Sequence, residues 1–203
     1  MKKILLTTVA VAALSTSAFA EMGLGEDSFY LRADVLGNKY NKVSARGNSY
    51  KSEYDMGLDV GAGYRVMDNM RTELVYNYAF NPKLKHDETN NSSKVKINAQ
   101  SLTLRGLVDF ADLGMAKLYA GAGLGWAQVG AKLTDTAVPA KAKNTNNLAW
   151  SLHAGSGFSV ADGVTLDVGY SFRDYGKTKE FANNGGKVTV RSHNLSAGVR
   201  FDI

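Results

Sequence analysis

The 203-residue chain has no cysteine, three histidines, and no apolar run of the length a membrane helix needs. Absent cysteine excludes a disulfide scaffold, a thiolate zinc site and thiol catalysis. A mean hydropathy of −0.21, with no apolar stretch of about 20 residues, excludes membrane-spanning helices. It leaves open a membrane-spanning barrel, whose strands are only half apolar. Excess charge is also scarce: 24 Lys+Arg stand against 19 Asp+Glu. Two of those lysines, Lys2 and Lys3, fall in a segment that reads as removable, so the mature excess is +3. That is too small and too scattered for a dedicated nucleic-acid binder.

The removable segment is residues 1–20. Lys2-Lys3 starts it, residues 4–14 form its apolar centre, and Ala18-Phe19-Ala20 supplies small residues at a cleavage site. This order of parts is that of a secretory signal peptide cut before Glu21. With no cysteine after the cut, no lipoprotein anchor is expected. Residues 21–203 then form one exported domain.

That domain is patterned on a period of two, the mark of strands with two different faces. Eight runs alternate, at 29–35, 56–66, 72–80, 102–110, 118–126, 148–160, 164–172 and 195–203. One face of each is apolar or small and carries no charge. It holds the aromatics Tyr64, Tyr78, Phe80, Trp126, Trp150, Phe158, Tyr170, Phe172 and Phe201. The interleaved face holds many glycines and ten charges: Arg32, Asp34, Asp59, Arg65, Glu73, Arg105, Asp109, Asp167, Arg200 and Asp202. Connections alternate as well. Those at 67–70, 111–115 and 161–163 are short; those at 37–53, 81–94, 130–147 and 174–187 are long.

Short turns on one rim and long loops on the other describe an all-β, eight-stranded antiparallel transmembrane barrel with short periplasmic turns and four long surface loops. A soluble lipocalin-like barrel would turn the apolar face inward. Against that reading, the aromatics suit interfacial girdles, and charge is missing where lipid would penalise it by about 2–4 kcal/mol. The glycines would leave room inside for Arg and Glu in a barrel that side chains just fill.

Gly61-Ala62-Gly63-Tyr64, followed by Asn69, Arg71, Glu73 and Tyr76, resembles the signature of small outer-membrane barrels of the OmpA-like and opacity type. Leu195 to Ile203 resembles the C-terminal strand read by the barrel assembly machinery, although it ends in Ile203 where Phe is usual. Ala161-Asp162-Gly163-Val164, Gly176-Lys177-Thr178-Lys179 and Ser192-His193-Asn194-Leu195-Ser196-Ala197-Gly198-Val199-Arg200-Phe201-Asp202 are similar to rickettsial surface adhesins of this fold. This resemblance implies an integral outer-membrane protein that contacts lipid and lipopolysaccharide, binds host vitronectin and aids serum and complement resistance. Full-length OmpA also carries a peptidoglycan-binding domain; none is expected in residues 21–203.

The ten interleaved charges could line an ion path or form a self-neutralising ion-pair network; for eight strands the network is expected, a plug without an open lumen. Ser151 and His153 invite comparison with lipid A hydrolases, but both share the inward parity, whereas such a site must face lipid. His86, His153 and His193 show no metal-ligand spacing. Gly121-x-Gly123-x-Gly125 lacks the strand-to-helix junction of a dinucleotide loop. Asn90 and Asn91 fit a glycosylation pattern that a polar loop tip explains equally well. The expectation is therefore a protein that is not an enzyme and takes no cofactor or metal.

Charge is sorted along the barrel axis. The stretches 38–53, 81–97, 130–147 and 174–191 together carry +9, leaving −6 for the rest of residues 21–203. A basic crown of this kind attracts host proteins, acidic glycans or anionic lipopolysaccharide. Lys83, Lys85, Lys141, Lys143, Lys177, Lys179 and Lys187 are the contact positions expected from loop location. Solvation of the loop tips alone is the competing reading, and with it an envelope-stabilising barrel that has no specific ligand.

Overall fold

A computed structural model describes residues 29–41, 43–45, 48–52, 54–80, 83–86, 94–134, 140–141, 144–178 and 189–203. The expected leader, residues 1–20, lies outside the described residues. Twelve strands follow in chain order: β1 (Phe29–Tyr40), β2 (Val43–Ala45), β3 (Asn48–Ser52), β4 (Tyr54–Met67), β5 (Met70–Ala79), β6 (Lys83–His86), β7 (Lys94–Asp112), β8 (Ala116–Thr134), β9 (Ala140–Lys141), β10 (Thr145–Ala161), β11 (Val164–Lys177) and β12 (Thr189–Asp202).

The eight long strands pair antiparallel with one another in chain order: β1, β4, β5, β7, β8, β10, β11, β12. β1 then closes on β12, from Tyr30↔Asp202 to Tyr40↔Ser192. Closure pairs each wall strand on both sides, which a wall in hydrocarbon requires because nothing there can hydrogen-bond a free backbone group. The even strand count brings both ends of the barrel to one rim, where the Ile203 amide donates to the Phe29 carbonyl at 3.0 Å.

Alternation decides what each face meets. Leu104 and Leu124, pointing outward, are 60% and 62% exposed, whereas Glu73, pointing inward, is 0% exposed. This is the inverse of a soluble barrel. An outward wall of Leu, Val and Phe would cost about 25 cal/mol for each Å² left in water; hydrocarbon removes that cost. On β7 the outward positions from Leu102 to Phe110 cover nine residues, matching the roughly 9–11 residues that a tilted strand needs to span a bilayer. Aromatic pairs stand near both ends of this belt. Phe29 and Tyr64 lie 4.8 Å apart near the short-turn rim, and Tyr78–Phe80 and Trp150–Phe172 are each 5.4 Å apart near the other.

The short turns follow local chemistry. β4 and β5 are joined by Asp68-Asn69. Between β7 and β8, Gly114 takes φ +82° and donates its amide to Asp112 Oδ1 at 2.9 Å. Between β10 and β11, Gly163 takes φ +69°. Left-handed backbone favours glycine, since a Cβ would be strained there.

The long connections correct the sequence reading. They contain strand: β2 and β3 within 37–53, β6 within 81–94, and the end of β8 with β9 within 130–147. β11 likewise runs on to Lys177 rather than ending at 172. Stretches such as Lys83-Leu84-Lys85-His86 and Ala131-Lys132-Leu133-Thr134 also alternate, but with lysine on one face they read as polar loop. β7 and β8 consequently rise past the belt, and β2-β3-β6-β7-β8-β9 forms a side sheet continuous with the wall.

Inward glycines make room, but tyrosines take much of it. A Cβ on Gly63 would overlap the Tyr30 ring, and one on Gly155 would meet Tyr119 Oη at 2.5 Å. Gly63→Val therefore forces overpacking, with an expected loss of about 1–3 kcal/mol in urea unfolding of the refolded protein. Gly106→Val, on the outward face between Leu104 and Val108, is the control, because a Cβ there meets nothing within 4 Å.

Candidate functional site

Inside the barrel, two carboxylates organise the guanidinium groups. Glu73 on β5 accepts from Arg32 Nη1 at 2.8 and 2.6 Å and from the Tyr30 hydroxyl at 2.7 Å. Arg71 and Arg105 approach it at 3.7 and 4.0 Å. Arg32 also forks onto Asp34, Nε to Oδ2 at 2.9 Å and Nη2 to Oδ1 at 2.8 Å. One layer nearer the long-connection rim, Asp59 accepts from Arg105 Nη2 and Arg173 Nη2, both at 2.6 Å, and from Asn77 Nδ2 at 2.7 Å. The Tyr175 hydroxyl caps that layer by donating to Asn77 Oδ1 at 3.0 Å.

Toward the short-turn rim, Arg200 Nε meets Asp167 Oδ2 at 2.6 Å and Arg71 pairs with Asp109. Arg65 meets Asp202 at 2.7 Å with both side chains about a third exposed. The Arg71 guanidinium lies 4.6 Å from the Tyr119 ring centre. Between the layers, a cavity bordered by Arg32, Asp59, Glu73, Arg105, Tyr119 and His153 has only about 10 Å³ for water centres, space for one water. The described interior is a filled plug.

All ten interleaved charges thus sit on the inward face. Reading the runs by themselves missed Arg71, Arg173, Tyr30, Tyr119 and Tyr175. Arg71 precedes the run that was drawn from Thr72, and Arg173 follows the one ended at Phe172, yet both keep inward parity with Glu73 and Ser171. Their inclusion matches six arginines to the six acids of the sequence reading. Asp174, counted as a loop charge, is instead buried at the upper rim and accepts from Arg191 Nε at 2.7 Å.

His153 Nε2 and Ser151 Oγ lie 2.8 Å apart inside the barrel, where membrane lipid does not reach. His193 is on the outward face, with Nδ1 2.5 Å from the Tyr170 hydroxyl and the ring 5.2 Å from Phe172. Backbone register places Lys83 on β6 and Lys141 on β9 in one row, through Lys96 and Lys132. Lys85 lies in the next row, opposite Lys94. Lys177 ends β11 and is exposed. Lys143, Lys179 and Lys187 lie outside the described residues.

Residues 6–201 match the family described as outer membrane protein beta-barrel domain. The chain is 36% identical over 250 aligned positions to a Rickettsia conorii protein named as a candidate adhesin, covering 100% of both chains. It is 33% identical over 228 positions to a similarly named protein of Rickettsia bellii, again over 100% of both. Among solved structures, Neisserial surface protein A superposes with a TM-score of 0.56 at 24% identity, covering 86% of this chain and 97% of that one. The attachment invasion locus protein of Yersinia pestis gives a TM-score of 0.50 at 14% identity, covering 87% and 100%. These two likenesses show the fold.

Proposed function

The chain belongs to the outer membrane protein β-barrel family, and on that footing we propose that it is an outer-membrane adhesin, not an enzyme. In this reading the long-connection rim faces outward and binds a host extracellular protein. A vitronectin-like serum protein or an acidic glycan is the expected partner, with serum and complement resistance as the consequence. The observation that carries the reading is the full-length similarity to rickettsial proteins named as candidate adhesins. The filled lumen supports it, because a plugged barrel leaves its rim as the surface available for recognition. Insertion through the barrel assembly machinery, with residues 195–203 as the recognition strand, belongs to the same proposal.

The test is binding of refolded protein to immobilised vitronectin and heparin across a salt series. Saturable binding should weaken with salt, since exposed charges are screened within about 8 Å at physiological ionic strength. Joint replacement of Lys177, Lys179 and Lys187 by Gln should lower it. Absence of binding by a folded, heat-modifiable barrel would overturn the adhesin reading. The same filled interior favours a second role, an envelope-stabilising barrel, for which moving the connections onto another barrel would transfer no binding.

A further inference from the structure

The cavity between the two carboxylate layers is bordered by more donors than acceptors with capacity left. Arg105 gives Nη2 to Asp59 at 2.6 Å, but its Nη1 stops 4.0 Å from Glu73. Its Nε is buried with no hydrogen-bond partner, on a side chain only 3% exposed. The carboxylates that border the cavity are already engaged. Asp59 accepts from Arg105, Arg173 and Asn77, and Glu73 accepts from Arg32 and Tyr30. Across the lumen, two hydroxyls converge on Gly169. A Cβ on that glycine would stand 2.9 Å from Tyr119 Oη and 3.0 Å from Ser196 Oγ. Tyr119, Gly169 and Ser196 all border the cavity, so the missing side chain is part of what leaves the space.

Charge in the lumen tilts the same way. Among the described residues, the buried lumenal guanidiniums are those of Arg32, Arg71, Arg105, Arg173 and Arg200, against the carboxylates of Asp34, Asp59, Glu73 and Asp167. Asp174, also buried, is taken by Arg191 at the upper rim. The acid that balances the fifth arginine is Asp109, which is 19% exposed and pairs with Arg71 toward the short-turn rim. Hydrogen bonding repeats the imbalance. In these layers the buried atoms without a hydrogen-bond partner are Arg105 Nε, Arg71 Nε and Nη2, and a single acceptor, Asp167 Oδ1. A buried donor left unpaired bears its full cost of desolvation, and Arg105 bears it at the edge of a cavity.

We infer that this cavity is a binding site for one small monovalent anion the size of chloride. A halide only accepts hydrogen bonds, whereas water must also donate, and donors are what the wall has to spare. Burying an anion is costly unless it is paired; the surplus guanidinium supplies the pair. The space, about 10 Å³ for water centres, admits an ion close to water in size and excludes polyatomic anions such as sulfate or phosphate. Chloride there meets the free edge of Arg105 from β7, the Tyr119 hydroxyl from β8 and the Ser196 hydroxyl from β12. It thereby ties three strands across the lumen. The ion is held rather than conducted, because the interior around it is filled. The site lies inside the wall, so it stands whether or not the rim binds a host protein.

The test uses the whole barrel refolded into phosphatidylcholine vesicles, with urea unfolding followed by tryptophan emission. Sodium chloride, bromide and gluconate are compared at equal ionic strength, so that screening of ion pairs is the same in each. Chloride or bromide at about ten times its half-saturating concentration should raise the folded-to-unfolded ratio about tenfold over gluconate, and the gain should saturate. Y119F/S196A removes both hydroxyls yet keeps the ring that lies 4.6 Å from the Arg71 guanidinium. It should lose most of the halide gain, and the contrast with the unaltered protein cancels each salt's general effect. Crystals of the unaltered protein grown in bromide decide the matter if that variant does not fold. They should show an anomalous peak over Gly169, within hydrogen-bond reach of Tyr119, Ser196 and Arg105. Equal stability in chloride and gluconate, a halide gain unchanged in the folded variant, or a cavity without bromide would each overturn the inference.

Discussion

Glu73→Gln lowers the unfolding free energy of the barrel by about 3–5 kcal/mol, the range for removing one partner of a buried ion pair. Gln keeps the shape and much of the hydrogen bonding. It removes the charge around which Arg32, Arg71 and Arg105 gather, leaving those guanidiniums to face one another in a space that admits about one water. The measurement is urea unfolding in vesicles or micelles, read by tryptophan emission and by mobility before and after heating. Arg65→Gln is the internal comparison. It breaks an ion pair with similar geometry, 2.7 Å to Asp202, whose side chains are 31% and 30% exposed, and so costs at most about 1 kcal/mol. Removing Arg32 together with Glu73 restores the net charge of the interior but takes the forked guanidinium from buried Asp34, so only part of the loss should return. Equal costs for the Glu73 and Arg65 variants would mean that the interior is wet, contrary to a filled plug.

Leu104→Arg is the second large effect, and it addresses the opposite face. Leu104 stands on the outward wall between Leu102 and Phe110 and pairs with Leu124 of β8. Arginine near the bilayer midplane of a barrel costs about 2–4 kcal/mol, falling toward zero at the interfaces. The variant should therefore fold into lipid far less stably than Leu104→Ala, while Met67→Arg, exposed beside the short turn, should stay within about 1 kcal/mol. In a barrel surrounded by water this depth dependence would vanish, since exposed substitutions there stay within about 0.5 kcal/mol. Depth dependence thus measures immersion directly.

Much of this arrangement can be read without coordinates, because alternation is local. Arg32 and Asp34 flank Ala33, and Glu73 and Leu74 are adjacent, so each strand carries its own instruction about which side meets lipid. The same locality hid two things. Arg71 and Arg173 sit just outside apolar runs, where a reading keyed to hydrophobic residues stops before the strand does. Lysine-alternating stretches likewise read as loops, because charge on one face imitates solvent exposure along the whole segment.

Eight strands, their two faces and the rim of short turns were determined by the sequence itself, since strand period and turn chemistry depend on residues a few places apart. The tertiary structure alone decided which charge meets which. Arg173 reaches Asp59 across 114 residues and Arg65 reaches Asp202 across 137; those partners follow from lateral strand order and barrel closure. Register decided the lysine rows in the same way. A slip of one residue between β7 and β8 would turn one strand's entire set of side chains to the other face. Lys96 and Lys132 would then no longer share a row, although no residue in the chain would have changed.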